Sequence, residues 1–307
     1  MLRMLKKRTL LLILVIYGML IRLSADPIDI NSEYGWKMLT IPLSPSISAM
    51  GGTGAAISNE GGAFIEHPAA GLVGNINSLS ITQSFWIFDT QINSIAINTS
   101  SGSSSFGFAL RALDYGKMDA RDITGEIIGE FHPLDLNLIG NFAYRITPNY
   151  YAGVNLMLLY QKIQSKSSTG VALDFGLTYL SPIRGLSLNA ALKHLGMTTR
   201  VDQSRIKMPV TPELGFTYLI PFEPAEINTE LKLLKHPDDD NLKARIGTDI
   251  NINRILSLRT GYHFNHDTQS FTAGIGLRIK KIDFNYAYLP FNNDISDAHS
   301  FGLSYNF

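Results

Sequence analysis

Residues 297–307 read "DAHSFGLSYNF", and the run from Phe301 alternates apolar with small or polar residues at every step. Phe301, Leu303, Tyr305 and Phe307 occupy every second position, with Gly302, Ser304 and Asn306 between them. Successive strand side chains point to opposite faces, so this spacing gathers four large apolar groups on one face of a β-strand. Whether that face meets a protein core or lipid decides the fold.

Working back along the chain, the same period of two persists from about residue 77. In "LSLNAALK" (186–193) Leu186, Leu188, Ala190 and Leu192 share one face. In "FTAGIGLRIK" (271–280) Phe271, Ala273, Ile275, Leu277 and Ile279 do so, and in "IDFNYAY" (282–288) Ile282, Phe284, Tyr286 and Tyr288. About fourteen such segments begin near Ser78, Gln91, Ser104, Leu134, Tyr150, Thr169, Leu186, Pro212, Ala225, Asn241, Ile255, Ser270, Lys281 and Ser300, each roughly the 9 to 11 residues that a tilted strand needs to cross a bilayer.

The joints between segments alternate in kind. Those after even-numbered segments are short: "TSSGSS", "RITPN", "SPIRG", "PFEP", "NINR" and "KK". Those after odd-numbered ones are mostly longer: the stretch 114–133, "KIQSKSS", 195–211, "HPDDD", "NHDTQ" and "PFNNDISDAH", with "FDT" as a short exception. A soluble β-sandwich supplies no reason for this parity. An outer-membrane barrel does, having short periplasmic turns, longer external loops and both chain ends inside.

The faces agree with that reading. The apolar face carries almost no charge and has aromatics near segment ends, at Tyr144, Tyr160, Tyr179, Tyr218, Tyr262 and Tyr288. The opposite face of the C-terminal half carries Glu226, Glu230, Lys232, Lys243, Arg245, Asp249, Arg259, His263, Arg278 and Asp283. A Lys or Arg facing lipid at mid-depth costs about 2–4 kcal/mol, so these side chains belong in a polar interior. The expected fold is all-β: a transmembrane antiparallel barrel of about fourteen strands over 77–307.

The N-terminus fits export. Arg3, Lys6, Lys7 and Arg8 precede the apolar run "TLLLILVIYGMLI", and Ala25 precedes Asp26, so residues 1–25 are expected to be a signal peptide. That segment holds five of the 26 Lys+Arg and no acid, leaving a mature charge of −5. Nucleic acid and anionic lipid surfaces are therefore not expected partners. The chain has no Cys, which excludes disulfides and thiolate metal sites. Residues 26–76 do not alternate; "SISAMGGTGAAISNEGGAFIEHPAAGLVG" is small and turn-rich, and is expected to fold into the lumen as a plug.

Within that segment Met50, Gly51, Gly52, Gly54, Pro68, Ala69, Gly71 and Leu72 resemble the N-terminal signature of the PorV/PorQ group of outer-membrane proteins. His67 stands where the group carries Asn, and Ala70 is inserted before the Gly. A second block resembles the group's Tyr-Gly-x-Met loop at Tyr115, Gly116 and Met118, with Gly129 and Phe131 at its exit. A third is similar at Asp174, Gly176, Leu177, Tyr179, Leu195 and Gly196, with His194 in place of Asn. The resemblance implies a FadL-like barrel of fourteen strands with an N-terminal hatch. It also implies a role in type IX secretion, with secreted cargo signal domains or other secretion components as partners.

Other motifs point nowhere. "GGTGAA" lacks the βαβ context of a dinucleotide fingerprint, and "HPDDDN" (Asp238, Asp239, Asp240) lacks EF-hand spacing. His263 and His266 straddle a segment end and are not expected to hold a metal. No nucleophile motif such as G-x-S-x-G is present, so neither an enzyme nor a cofactor is expected.

The expected partners are outer-membrane lipid and, through Phe301, Leu303, Tyr305 and Phe307, the barrel-assembly machinery. Two functions follow. One is a binder that assists export or surface attachment, with loops 114–133 and 195–211, including Tyr115, Gly116 and Met118, holding the partner. The alternative is a FadL-like passive channel for hydrophobic small molecules; the inward charges oppose it, but Ala55, Ala56, Ile57, Phe64 and Ile65 could line a smaller pocket.

Overall fold

The computed structural model describes residues 34–201, 204–239, 241–266, 268–293 and 295–307. The expected signal peptide and Asp240 of the acidic loop lie outside the described residues.

The alternating segments become β1 (Ser78–Phe85), β2 (Gln91–Ser101), β3 (Ser104–Asp114), β6 (Leu134–Thr147), β7 (Tyr150–Ile163), β8 (Lys166–Leu180), β9 (Leu186–Thr198), β12 (Thr211–Phe222), β13 (Ala225–Leu234), β14 (Lys243–Ile252), β15 (Leu256–Phe264), β16 (Phe271–Ile279), β17 (Ile282–Leu289) and β18 (Ala298–Asn306). These fourteen form one closed antiparallel barrel in which β18 pairs with both β17 and β1. Closure leaves no sheet edge, so every strand satisfies its backbone within the wall. Two small ladders lie in the loops: β4 (Met118–Arg121) with β5 (Ile127–Phe131), and β10 (Arg200–Val201) with β11 (Ser204–Arg205). No helix among the described residues is long and apolar enough to cross a membrane.

The large apolar side chains point outward. Phe301, Leu303, Tyr305 and Phe307 are 47%, 45%, 47% and 52% exposed, whereas Ser300 and Ser304 on the other face are buried. Phe301 meets Phe85 of β1 edge-on at 6.2 Å and Tyr286 of β17 at 5.1 Å, a cross-strand aromatic row over the seam. In water such a surface would be far larger than any ordinary apolar patch; in lipid it is the solvent-matched face.

Two features depart from the sequence reading. The expected loop "KIQSKSS" is a tight turn at Gln164–Ser165, because β7 and β8 run on in register to Ile163 and Lys166. The segment 195–211 is not a free loop: β9 continues to Thr198, Met208 is buried and Ile206 and Val210 pack beside it.

A β-bulge marks β9. Leu173 pairs with Leu195 and Phe175 with Leu192, so Lys193 and His194 together oppose the single Asp174. His194 sits at φ 62, and its N–H donates to Asp174 Oδ1 at 2.6 Å. The extra residue lets two consecutive side chains, Lys193 and His194, both end up buried.

Candidate functional site

Residues 36–76 touch inward-facing side chains around the whole circumference, and so occupy the space inside the barrel. Being short turns and helices, they leave many backbone groups unpaired among themselves, and each must find a partner. The wall provides them. Ser80 of β1 accepts from Gly61 N–H (2.7 Å), Asn98 of β2 donates to Ile76 O (2.7 Å), and Arg111 of β3 donates to Ile41 O (2.8 Å). Asn141 of β6 donates to Pro68 O (2.9 Å), Asn155 of β7 to Phe64 O (3.0 Å), and Thr272 of β16 to Ala49 O (2.8 Å). Here the polar face of each strand serves as the plug's solvent.

The Met50–Gly54 turn is held from the charged side of the wall. Lys232 Nζ donates to Gly52 O (2.7 Å) and lies 3.4 Å from Glu213 Oε2. Glu230 Oε2 accepts the Gly54 N–H (2.9 Å), and His263 Nε2 donates to Gly51 O (2.9 Å). Gly51, Gly52 and Gly54 have φ values of +69°, +81° and +82°, a left-handed region that a residue with a Cβ enters at a cost. A Cβ on Gly51 would lie 2.9 Å from the His263 ring and one on Gly52 2.6 Å from Arg245. Deeper in the plug, Glu66 accepts the Leu43 N–H (2.8 Å) and lies 3.5 Å from Lys193. His67 shares a hydrogen bond with Thr178 Oγ1 (2.9 Å).

Of the residues singled out in the sequence, Met50, Gly51, Gly52, Gly54, Pro68, Gly71 and Leu72 all lie in this buried contact. Pro68 packs on β8, where a Cβ on Gly176 would come 2.7 Å from its Cδ. Gly71 lies against Asn98, and its carbonyl accepts from Ser100 Oγ at 2.8 Å. The loop trio separates. Tyr115 turns back toward the barrel and donates to Asp135 Oδ2 (3.0 Å), where burial and the Asp135 carboxylate push its phenol upward in pKa. Gly116 N–H closes on Asp114 Oδ1 (2.8 Å), and only Met118 is exposed.

The lumen has two halves. Across from Glu230, Lys232 and Arg245, the residues Ala96, Ala109, Ile139, Met157, Leu159 and Ala172 of β2 to β8 also point inward, against Trp36, Leu39, Leu43, Phe64 and Ile65, under Met208, with Arg111, Asp135 and Asp174 buried on the same strands. Sequence reasoning missed this patch because these residues share the parity of neighbouring Ser and Asn. The expected smaller pocket is not formed as described: Phe64 and Ile65 are packed into this cluster, while Ala56 and Ile57 line a polar cavity of about 430 Å³. A second cavity, of about 150 Å³, lies between Trp86, Phe291, Arg245, His263 and His266. Among the described residues no group of three His, Asp or Glu could hold a metal ion.

This architecture has solved counterparts. The chain superposes on the Pseudomonas putida toluene transporter TodX with a TM-score of 0.60, at 13% identity over 90% of this chain and 98% of that one. It superposes on a Pseudomonas aeruginosa FadL homologue with a TM-score of 0.60, at 10% identity over 87% and 99%. The deltaS2S3 mutant of TodX, described as a monoaromatic hydrocarbon channel, gives 0.57 at 14% identity over 86% and 98%. The protein is an outer-membrane β-barrel with a FadL-like fold. No family model matches the sequence, and no curated protein matches it.

Proposed function

We propose that the protein is a plugged channel that admits small hydrophobic molecules through the outer membrane. The supporting observation is the apolar half-lumen, in which Trp36, Leu39 and Met208 cover the inward Ile139, Met157 and Leu159. Apolar solutes partition into such a surface, gaining about 25 cal/mol for each Å² removed from water. All of these groups are at most 6% exposed, so a solute enters only as 36–43 and 206–210 give way. The fold shared with TodX and the FadL homologue supports the same reading.

Trp36 and Trp86 are the only tryptophans, so the idea can be tested optically. With Trp86→Phe, the remaining Trp36 emission should shift red and saturate as toluene or a short alkane is added to the micellar protein. Emission that changes only linearly, as for solute dissolving in detergent, would sink the reading.

A second reading, a partner-binding role in secretion of the PorV/PorQ type, is favoured by the β4–β5 hairpin. Ile123, Ile127 and Ile128 there are exposed, on a ladder that pairs with no barrel strand. Affinity purification from the native membrane tests it: recovery of a secreted protein with the wild type, lost when the three are changed to Ser, supports this reading. Equal recovery with both removes it.

A further inference from the structure

The cavity of about 430 Å³ lies between plug residues 54–60 and the inward faces of β13 to β17, toward the end of the barrel that carries the short turns. Its size suits a small organic molecule. Its chemistry is one-sided. Glu60 is 2% exposed; its Oε1 accepts the Ser46 N–H (3.3 Å), and its Oε2 has no partner in the protein. Asn228 is 6% exposed and its Oδ1 is likewise unpartnered, as is Oδ1 of Asn251, whose amide nitrogen donates to Ser257. No buried side-chain donor that lines this cavity lacks a partner. The outer cavity is the reverse, with unpartnered nitrogens on Arg245 and Gln269.

The charges point the same way. Three cations in the lining each have an acid: Arg259 with Asp249 (3.0 Å), Arg278 with Asp283 (2.6 Å) and Arg254 with Glu226 (3.9 Å). Glu60 is the acid left over: among the described residues no cation pairs with it directly, and a Ser44 hydrogen bond and the more distant Arg259 guanidinium only partly offset the burial of its charge. A buried carboxylate with an unpartnered oxygen, in a lining that also holds two unpartnered amide oxygens, is costly until something donates to it. With four acids against three cations the lining disfavours an anion, an apolar solute would leave its polar groups unsatisfied, and a neutral polyol would leave the odd charge uncompensated.

We infer that this cavity is a binding site for a small aliphatic ammonium ion, with Glu60 as its counter-ion and Asn228 and Asn251 as neutral acceptors. An ammonium group carries N–H donors and one positive charge, matching the surplus of acceptor oxygens in this lining and its single negative charge in excess. The site stands apart from the apolar half-lumen, so it holds whether or not hydrophobic solutes pass there.

Equilibrium dialysis of the purified full chain in detergent micelles, with labelled n-butylamine as probe and glucose and acetate as competitors, tests it. Saturable binding at one site is expected, unaffected by either competitor. Glu60→Gln keeps the volume and removes the charge, and should weaken binding about tenfold; Asn251→Ala, losing one neutral acceptor, about threefold. Glu130→Gln on the exposed hairpin should leave binding unchanged. Absence of saturable binding, equal binding by Glu60→Gln, or displacement by glucose overturns the proposal. Each variant is compared once its unheated band on a denaturing gel shows a folded barrel. If Glu60→Gln does not fold, unaltered binding by Asn251→Ala overturns the proposal by itself.

Discussion

Lys232 stands between the Glu213 carboxylate and the carbonyl of Gly52, with its side chain almost wholly buried. Removing one member of a buried pair strands the other charge, which is worse than never having had the pair. Lys232→Met should therefore cost about 3 kcal/mol in urea unfolding from micelles, whereas the exposed Lys117→Met should change nothing measurable. The loop histidines set a pH dependence. Burial, then the Arg245 guanidinium, lowers both His236 and His266 to about 4, below the ordinary 6.5. The folded state thus binds fewer protons than the unfolded one between those values. Stability from this source is complete above pH 6.5 and is lost as pH falls to about 4. The urea midpoint should fall across that window, and His236→Asn with His266→Asn should flatten the slope.

At the scale of elements, the short helix Pro45–Ala49 lies against β15 to β18 without a layer of side chains between. The wall is bare there: Gly247 and Gly261 are register partners on β14 and β15, and a Cβ on Gly274 of β16 would come 2.5 Å from Ala49 Cβ. A Cβ on Gly261 would overlap the backbone of Met50 and Gly51. Gly261→Ala should leave the strands paired yet unseat the helix and the turn after it. Limited proteolysis should then cut within residues 40–76 at a rate at which the wild type stays intact, with the folded-barrel band unchanged on the gel.

The whole molecule inverts the pattern of a soluble protein, with its greasy face outside and its polar face around a plug. Leu303 lies near the middle of β18 and points outward, so Leu303→Arg should cost about 2–4 kcal/mol when the barrel refolds into lipid vesicles. The same change at inward Ser304, where there is no lipid, tests packing alone. Deleting 34–76 would leave the wall closed, since no strand pairs with that segment in the barrel. It would also expose Lys193, Glu213, Glu230 and Lys232 to a hydrated bore. Planar-bilayer recordings should show steady conductance from that variant and near-closed behaviour from the parent; two closed proteins would mean that other segments block the lumen.

Strand number, start points, the outward direction of Phe301 to Phe307 and the inward direction of Lys232 and Asp249 were all legible in the amino-acid sequence. Each follows from the period of the backbone, which is local, and from the solvent that an alternating face must meet. Composition marked 26–76 as a small, turn-rich segment, and within it the resemblance to a known N-terminal signature singled out Met50 to Gly54 and Pro68 to Leu72. Only the tertiary structure decided which wall residue each plug group meets, and that Ile139, Met157 and Leu159 form an apolar half-lumen. It alone left Glu60 the lining acid without a direct ion pair, and it packed Ile206, Met208 and Val210 onto the apolar cluster. Those outcomes depend on pairings between residues far apart in the chain, as for Thr272 with Ala49, 223 positions away. Such pairings arise from closing the sheet into a ring, and no periodicity along the chain encodes which sides of that ring come to face each other.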